Sequence, residues 1–125
     1  GNTSITTIGG QVGWSTFSDA RLKKNITPET LGLEFIMDLN PVRYEYTAEG
    51  QKGIIYSGLI AQEVESSILK LNTTFSGVVK PSNDDDFYSI RYSEFVIPLI
   101  KAIQEQEQRI NNLELKILEL SSPKK

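Results

Sequence analysis

The chain contains neither cysteine nor histidine. These absences remove disulfides, thiol nucleophiles and the ordinary zinc sites. Without imidazole no mechanism rests on a histidine base, so any enzyme here works with hydroxyl, carboxylate or amine groups. No apolar run approaches the ~18 residues of a membrane span, and no signal-peptide pattern opens the chain. Membrane insertion is not expected, and the start on Gly1 suggests a soluble fragment of something longer. An excess of one charge is also missing. The 16 acidic and 13 basic residues are well mixed and leave a net charge of −3, which is no footprint for nucleic acid. Gly50, Gly53 and Gly58 form neither a dinucleotide-binding nor a P-loop glycine pattern. What is present is 125 residues, one domain's worth of chain.

The pattern is α+β. Residues 1–13, with four glycines among Thr, Ser and Ile, read as extended or turn structure, the end of an upstream β-rich region. Thr27, Pro28 and Glu29 have the form of a helix start, and Leu31, Phe35, Ile36 and Leu39 continue it as a stripe near 28–39, closed by Asn40-Pro41. Val42, Tyr44 and Tyr46 alternate with Arg43 and Glu45, and residues 54–61 supply a second strand, which predicts a hairpin. Val64, Ile68 and Leu71 predict a short helix over 61–70. Val78-Val79 and residues 87–90 predict two short strands around a polar turn.

From Tyr92 the periodicity changes. Val96, Leu99, Ile103, Gln106, Ile110, Leu113, Ile117 and Leu120 follow at alternating steps of three and four, about three and a half heptads, and only Gln106 is polar. Arg109 at a g site can reach Glu114 at the next e site of a neighbouring helix. The pattern predicts an oligomeric coiled coil over 92–121, although residues 92–103 equally suit a helix packed on its own core. Pro98 marks a start or a kink. Ile at a with Leu at d, taken alone, favours a dimer.

The chemistry concentrates in FSDARLKKNI, residues 17–26. A serine attacks a carbonyl only if its proton is taken, and a neutral lysine amine is the available base. Ser18 and Lys23 are five apart, a spacing that brings them together in neither a regular strand nor a regular helix. Contact needs a turn, and Asp19 is a plausible turn-maker. The lysine also needs its pKa lowered by desolvation or a neighbouring cation, to which Arg21 and Lys24 would contribute. By spacing alone, the stretch equally suits a capped turn with a solvated cationic face.

The series SDARLKKNI, LNPVRYEY, SGLIAQEV and YSEFVIPLIKAIQEQ, in this order, resembles the self-cleaving C-terminal intramolecular chaperone domain of phage tail spikes, tail fibres, neck appendages and endosialidases. A related domain occurs in a myelin regulatory transcription factor. The resemblance runs from about Trp14 to Gln108. It implies a homotrimer, replacing the dimer read from the seam, that templates an upstream β-rich fibre of the same polypeptide. It further implies single-turnover autoproteolysis, with Ser18 as nucleophile and Lys23 as general base. The implied cut is Ser18–Asp19, with attack by Ser18 on the Phe17 carbonyl as the variant. Residues 1–17 then end the stalk and 18–125 form the chaperone domain, with no cofactor, metal, nucleic acid or membrane partner. The implied place is the host cytoplasm during virion assembly, with release from the mature fibre after the cut.

Rival features are weaker. Asp84-Asp85-Asp86 lacks the alternating ligands and glycine of a calcium loop and reads as a solvated turn. Tyr44, Tyr46, Tyr56, Tyr88 and Tyr92 read as core and edge residues of strands rather than a ligand site. Two alternatives to the self-cleaving chaperone remain: a trimeric cap that stays attached, and a coiled-coil adaptor or receptor-binding tip without catalysis.

Overall fold

The computed structural model describes residues 5–123. Among them are three α-helices and two two-stranded sheets, an α+β architecture. Residues 5–19 are neither helix nor strand, and the first four residues of the expected lead-in lie outside the described residues. The chain divides into two compact units.

One unit holds the N-terminal residues through Pro28 together with Arg43–Ser57. Most of one sheet falls in it, β1 (Val42–Tyr44) paired with β2 (Tyr56–Gly58), the expected hairpin strands, each only three residues long, with the end residues Val42 and Gly58 counted to the other unit. Tyr44, Tyr46 and Tyr56 form an aromatic triad, with centroids 5.3, 5.1 and 5.8 Å apart. The Glu45 carboxylate accepts from the Gly53 N–H at 2.8 Å and ties the connecting loop back to the strand. Gly53 itself has φ +82°, a conformation that glycine adopts without Cβ strain.

The other unit holds residues 29–42 and 58–125. Its core is Leu31, Phe35, Val64, Ile68 and Phe95. Phe35 is fully buried, edge-on to Phe75 at 5.3 Å and stacked on Phe95 at 6.1 Å, while Phe75 meets Phe95 edge-on at 4.9 Å. Such offset and T-shaped geometry suits the aromatic quadrupoles. The expected helix near 28–39 is shorter: α1 spans Leu33–Asp38. Thr27 does not cap it, because the Glu29 carboxylate takes up the Thr30 and Leu31 N–H groups, both at 2.9 Å, and holds that segment as a turn. Gly32 stands at the N-cap with no side chain to offer, and the acceptor comes instead from Glu105, whose Oε1 accepts the Leu33 N–H at 3.1 Å. The rest follows the expected pattern. α2 covers Ala61–Lys70, and β3 (Val78–Val79) pairs antiparallel with β4 (Ser89–Ile90), Val78 opposite Ile90.

A 3-10 turn, Tyr92–Phe95, leads into α3, Val96–Ser121. Pro98 lies in the first turn of this helix, where its missing N–H costs nothing. The first turns of α3 serve two faces. Phe95, Pro98 and Ala102 are buried on the unit's own core. The expected seam, one residue further round at Val96, Leu99 and Ile103, points away and is exposed. From Ile110 to Leu120 the seam is likewise exposed in the single chain.

Candidate active site

The FSDARLKKNI stretch is exposed along its whole length. Its shape comes from one short 3-10 turn, Ala20–Leu22, capped by Asp19. The Leu22 N–H donates to the Asp19 carbonyl at 3.0 Å, and the Lys23 N–H to the Ala20 carbonyl at 3.2 Å. Asp19 and Lys23 flank the turn in extended conformation. This reversal brings the ends together: the Lys23 Nζ lies 2.6 Å from the Ser18 Oγ, donating to it. The turn required by the five-residue spacing is thus present. An ammonium that donates across this distance is placed, once neutral, to accept the hydroxyl proton along the same line.

Asp19 is held by Arg21 in three ways. Its Oδ1 accepts the Arg21 N–H at 2.8 Å and the Arg21 Nε–H at 3.0 Å, while Oδ2 accepts from Nη2 at 2.8 Å. The guanidinium fork and then the backbone N–H hold the Asp19 carboxyl below the usual carboxylate range. The same pairing raises the Arg21 guanidinium. Arg21, expected beside the lysine as a tuning cation, therefore has its charge matched by Asp19. Lys24 makes none of these contacts.

A second serine and lysine share a carboxylate in the other unit. The Ser67 Oγ, on buried Ser67, donates to Asp38 Oδ2 at 2.6 Å, and Lys70 Nζ donates to Asp38 Oδ1 at 3.1 Å. These bonds, from Ser67 first and Lys70 second, lower the Asp38 pKa. Here the lysine is committed to the carboxylate and the hydroxyl points at it too, so the arrangement ties α1 to α2. The sequence reading did not single it out; its only signal is the Ser-x-x-Lys spacing on α2 opposite the acidic end of α1.

The remaining sequence candidates have structural roles. Asn83 Oδ1 accepts from the Asp85 and Asp86 N–H groups at 2.9 and 3.1 Å, so the acidic run forms an Asx turn. Among the described residues no group of three or more histidine, cysteine, aspartate or glutamate side chains forms a metal site, and no helix is long and apolar enough to cross a membrane. The Tyr88 hydroxyl donates to Glu65 and the Tyr92 hydroxyl accepts the Leu59 N–H.

Compared with protein-family models, residues 18–72 match a peptidase family described as the chaperone of endosialidase. Over this stretch the chain is similar to that family. The chaperone-of-endosialidase match begins at Ser18 and runs through α1, β1, β2 and α2 to Asn72, so it includes both Ser18 and Lys23; β3, β4 and α3 lie beyond it. None of the curated proteins matches the chain.

Proposed function

We propose that the chain is an intramolecular chaperone that assembles as a trimer, templates an upstream β-rich phage fibre or spike, and then cuts itself beside Ser18. The observation that carries the catalytic part is the 2.6 Å contact between Lys23 Nζ and Ser18 Oγ. Neutral Lys23 takes the hydroxyl proton as Ser18 Oγ attacks a backbone carbonyl carbon. The tetrahedral intermediate collapses with proton return from Lys23 to the departing amide nitrogen, leaving an ester that water hydrolyses. Reaction within one polypeptide needs no substrate binding beyond the fold itself.

Ring geometry separates the two bonds. Attack by Ser18 on the Phe17 carbonyl closes a five-membered ring, whereas attack on its own carbonyl closes a strained four-membered one. A cut at Ser18–Asp19, the bond the family resemblance implies, is then best served by the hydroxyl of a neighbouring copy. A cut at Phe17–Ser18 is served within the chain. Exposure also supports an assembled site. In the single chain, Trp14, Phe17, Leu22 and Ile26 are all more than two thirds exposed around the dyad. Neighbouring copies would cover them and exclude water from the dyad. The exposed seam of α3 supports the oligomer itself, since a stripe with seven of eight apolar positions has a partner helix as its natural cover.

The test is expression of residues 1–125, light scattering for mass, a denaturing gel and mass spectrometry of the fragments. Two fragments from the wild type and none from Ser18→Ala or Lys23→Ala are expected. A trimer that stays whole refutes the cut and leaves a permanently attached cap; a dimer refutes the trimer. The first residue of the C-terminal fragment, Asp19 or Ser18, identifies the bond.

A further inference from the structure

The geometry points to Asp19 and Arg21 as positioning residues, whose forked ion pair sets the turn that delivers Lys23 to Ser18. This rests on the self-cleavage reading and assigns these two side chains a task within it. Ser18 and Lys23 sit too far apart in sequence to meet in a regular element, and every residue from 18 to 30 is exposed, so the unit's core does not shape the turn. A three-residue 3-10 turn has little cooperativity of its own. Beyond its two backbone bonds, what holds it is a single carboxylate with three bonds to one residue, the backbone N–H and two guanidinium nitrogens of Arg21.

An exposed ion pair contributes little to stability in general. The value of this one is geometric. A planar fork fixes the direction of the carboxylate, the carboxylate caps the turn, and the turn fixes where the Lys23 side chain leaves the backbone. A misplacement of about 1 Å at such a pair costs roughly a hundredfold in rate. Arg21→Lys is the discriminating change, because it keeps the positive charge and loses the fork. Arg21 is 89% exposed, so its replacement leaves the core intact, and it is not beside either bond that could be cut.

The experiment measures the self-cleavage rate against pH for the full chain and for Arg21→Lys, Asp19→Asn and Asp19→Ala, with oligomeric mass as a control. Arg21→Lys is expected to be slower by roughly tenfold, Asp19→Asn similarly, since the amide oxygen still caps the turn, and Asp19→Ala by roughly a hundredfold. In all three, the maximal rate should fall while the pH midpoint stays in place. Wild-type rates in Arg21→Lys and Asp19→Ala would overturn the positioning role. So would a displaced midpoint, which would make Arg21 an electrostatic partner of the lysine. A wild-type trimer that never cuts overturns the self-cleavage reading instead, and is told apart by the wild-type lane alone.

Discussion

The contact between α3 and the start of α1 is a quantitative test of how the core unit is held. Glu105 Oε1 accepts the Leu33 N–H at 3.1 Å, and Gly32 lies directly beneath that carboxylate. A Cβ at position 32 would fall on Oε1 itself, 3.0 Å from Glu105 Cδ and 2.8 Å from Lys101 Cγ. Lys101 is a flexible chain and gives way; the carboxylate cannot stay and still reach Leu33. Glu105→Ala removes one charged acceptor from a helix N-terminus, a loss of about 1–2 kcal/mol. Gly32→Ala displaces the same acceptor, and its smaller unfolded-state entropy returns about 0.4–1 kcal/mol. It should therefore cost about 1 kcal/mol in the wild type and stabilise by about 0.4–1 kcal/mol once Glu105 is gone, a coupling of about 1–2 kcal/mol. For a chain of this size each kcal/mol is a melting shift of roughly 4 °C. The four chains of the cycle are melted at one concentration in a Ser18→Ala background, so that assembly and cutting do not differ between them. Additive costs, or a Glu105→Ala chain as stable as its parent, would refute the capping argument.

Other consequences are open to measurement. Phe35→Ala empties the centre of the Phe35–Phe75–Phe95 cluster and should cost about 3–5 kcal/mol in urea unfolding; a loss under about 1 kcal/mol would mean the core sits elsewhere. Ile110→Asp puts a charge in the exposed seam beyond the reach of the core. Light scattering should show the assembled mass falling to one chain, while helical circular dichroism of residues 29–105 is largely kept. The folded-state pKa of Asp38 is depressed by Ser67 and Lys70, so its contribution to stability is present above the unfolded value of about 4 and lost as pH falls through the folded one. The difference in melting temperature between wild type and Asp38→Asn should thus vanish on acidification, and a pH-independent difference would contradict the pairing.

Much of the fold was legible because it is set by nearby residues. Val64 and Ile68 lie on one face of α2, and its bounds, Ala61–Lys70, were readable from that spacing. The strands at 78–79 and 87–90 stood out between turn residues, although the second is only Ser89–Ile90 in the fold. The start of α1 was not legible, since its cap comes from Glu105, 72 positions away, while the local signal at Thr27-Pro28-Glu29 is spent on a turn. The first turns of α3 carried two apolar faces a residue apart, Pro98 and Ala102 inward and Leu99 and Ile103 outward, and one periodicity could not separate them. At the site, the sequence required a turn between Ser18 and Lys23 and offered Asp19 to make it. Arg21 was read as a neighbour of the lysine, because nothing in a linear string shows that its fork closes on Asp19.

The serine and the lysine meet across only four intervening residues, with no help from a distant strand or helix. Loops this short close in about 10–100 ns, far sooner than a domain folds or chains find one another. Under the proposed function, the pair is therefore armed almost from synthesis, and its timing belongs to something slower. Encounter between copies is such a step, because it depends on concentration. Dilution alone should then keep a freshly folded chain whole, with the reactive atoms already in contact.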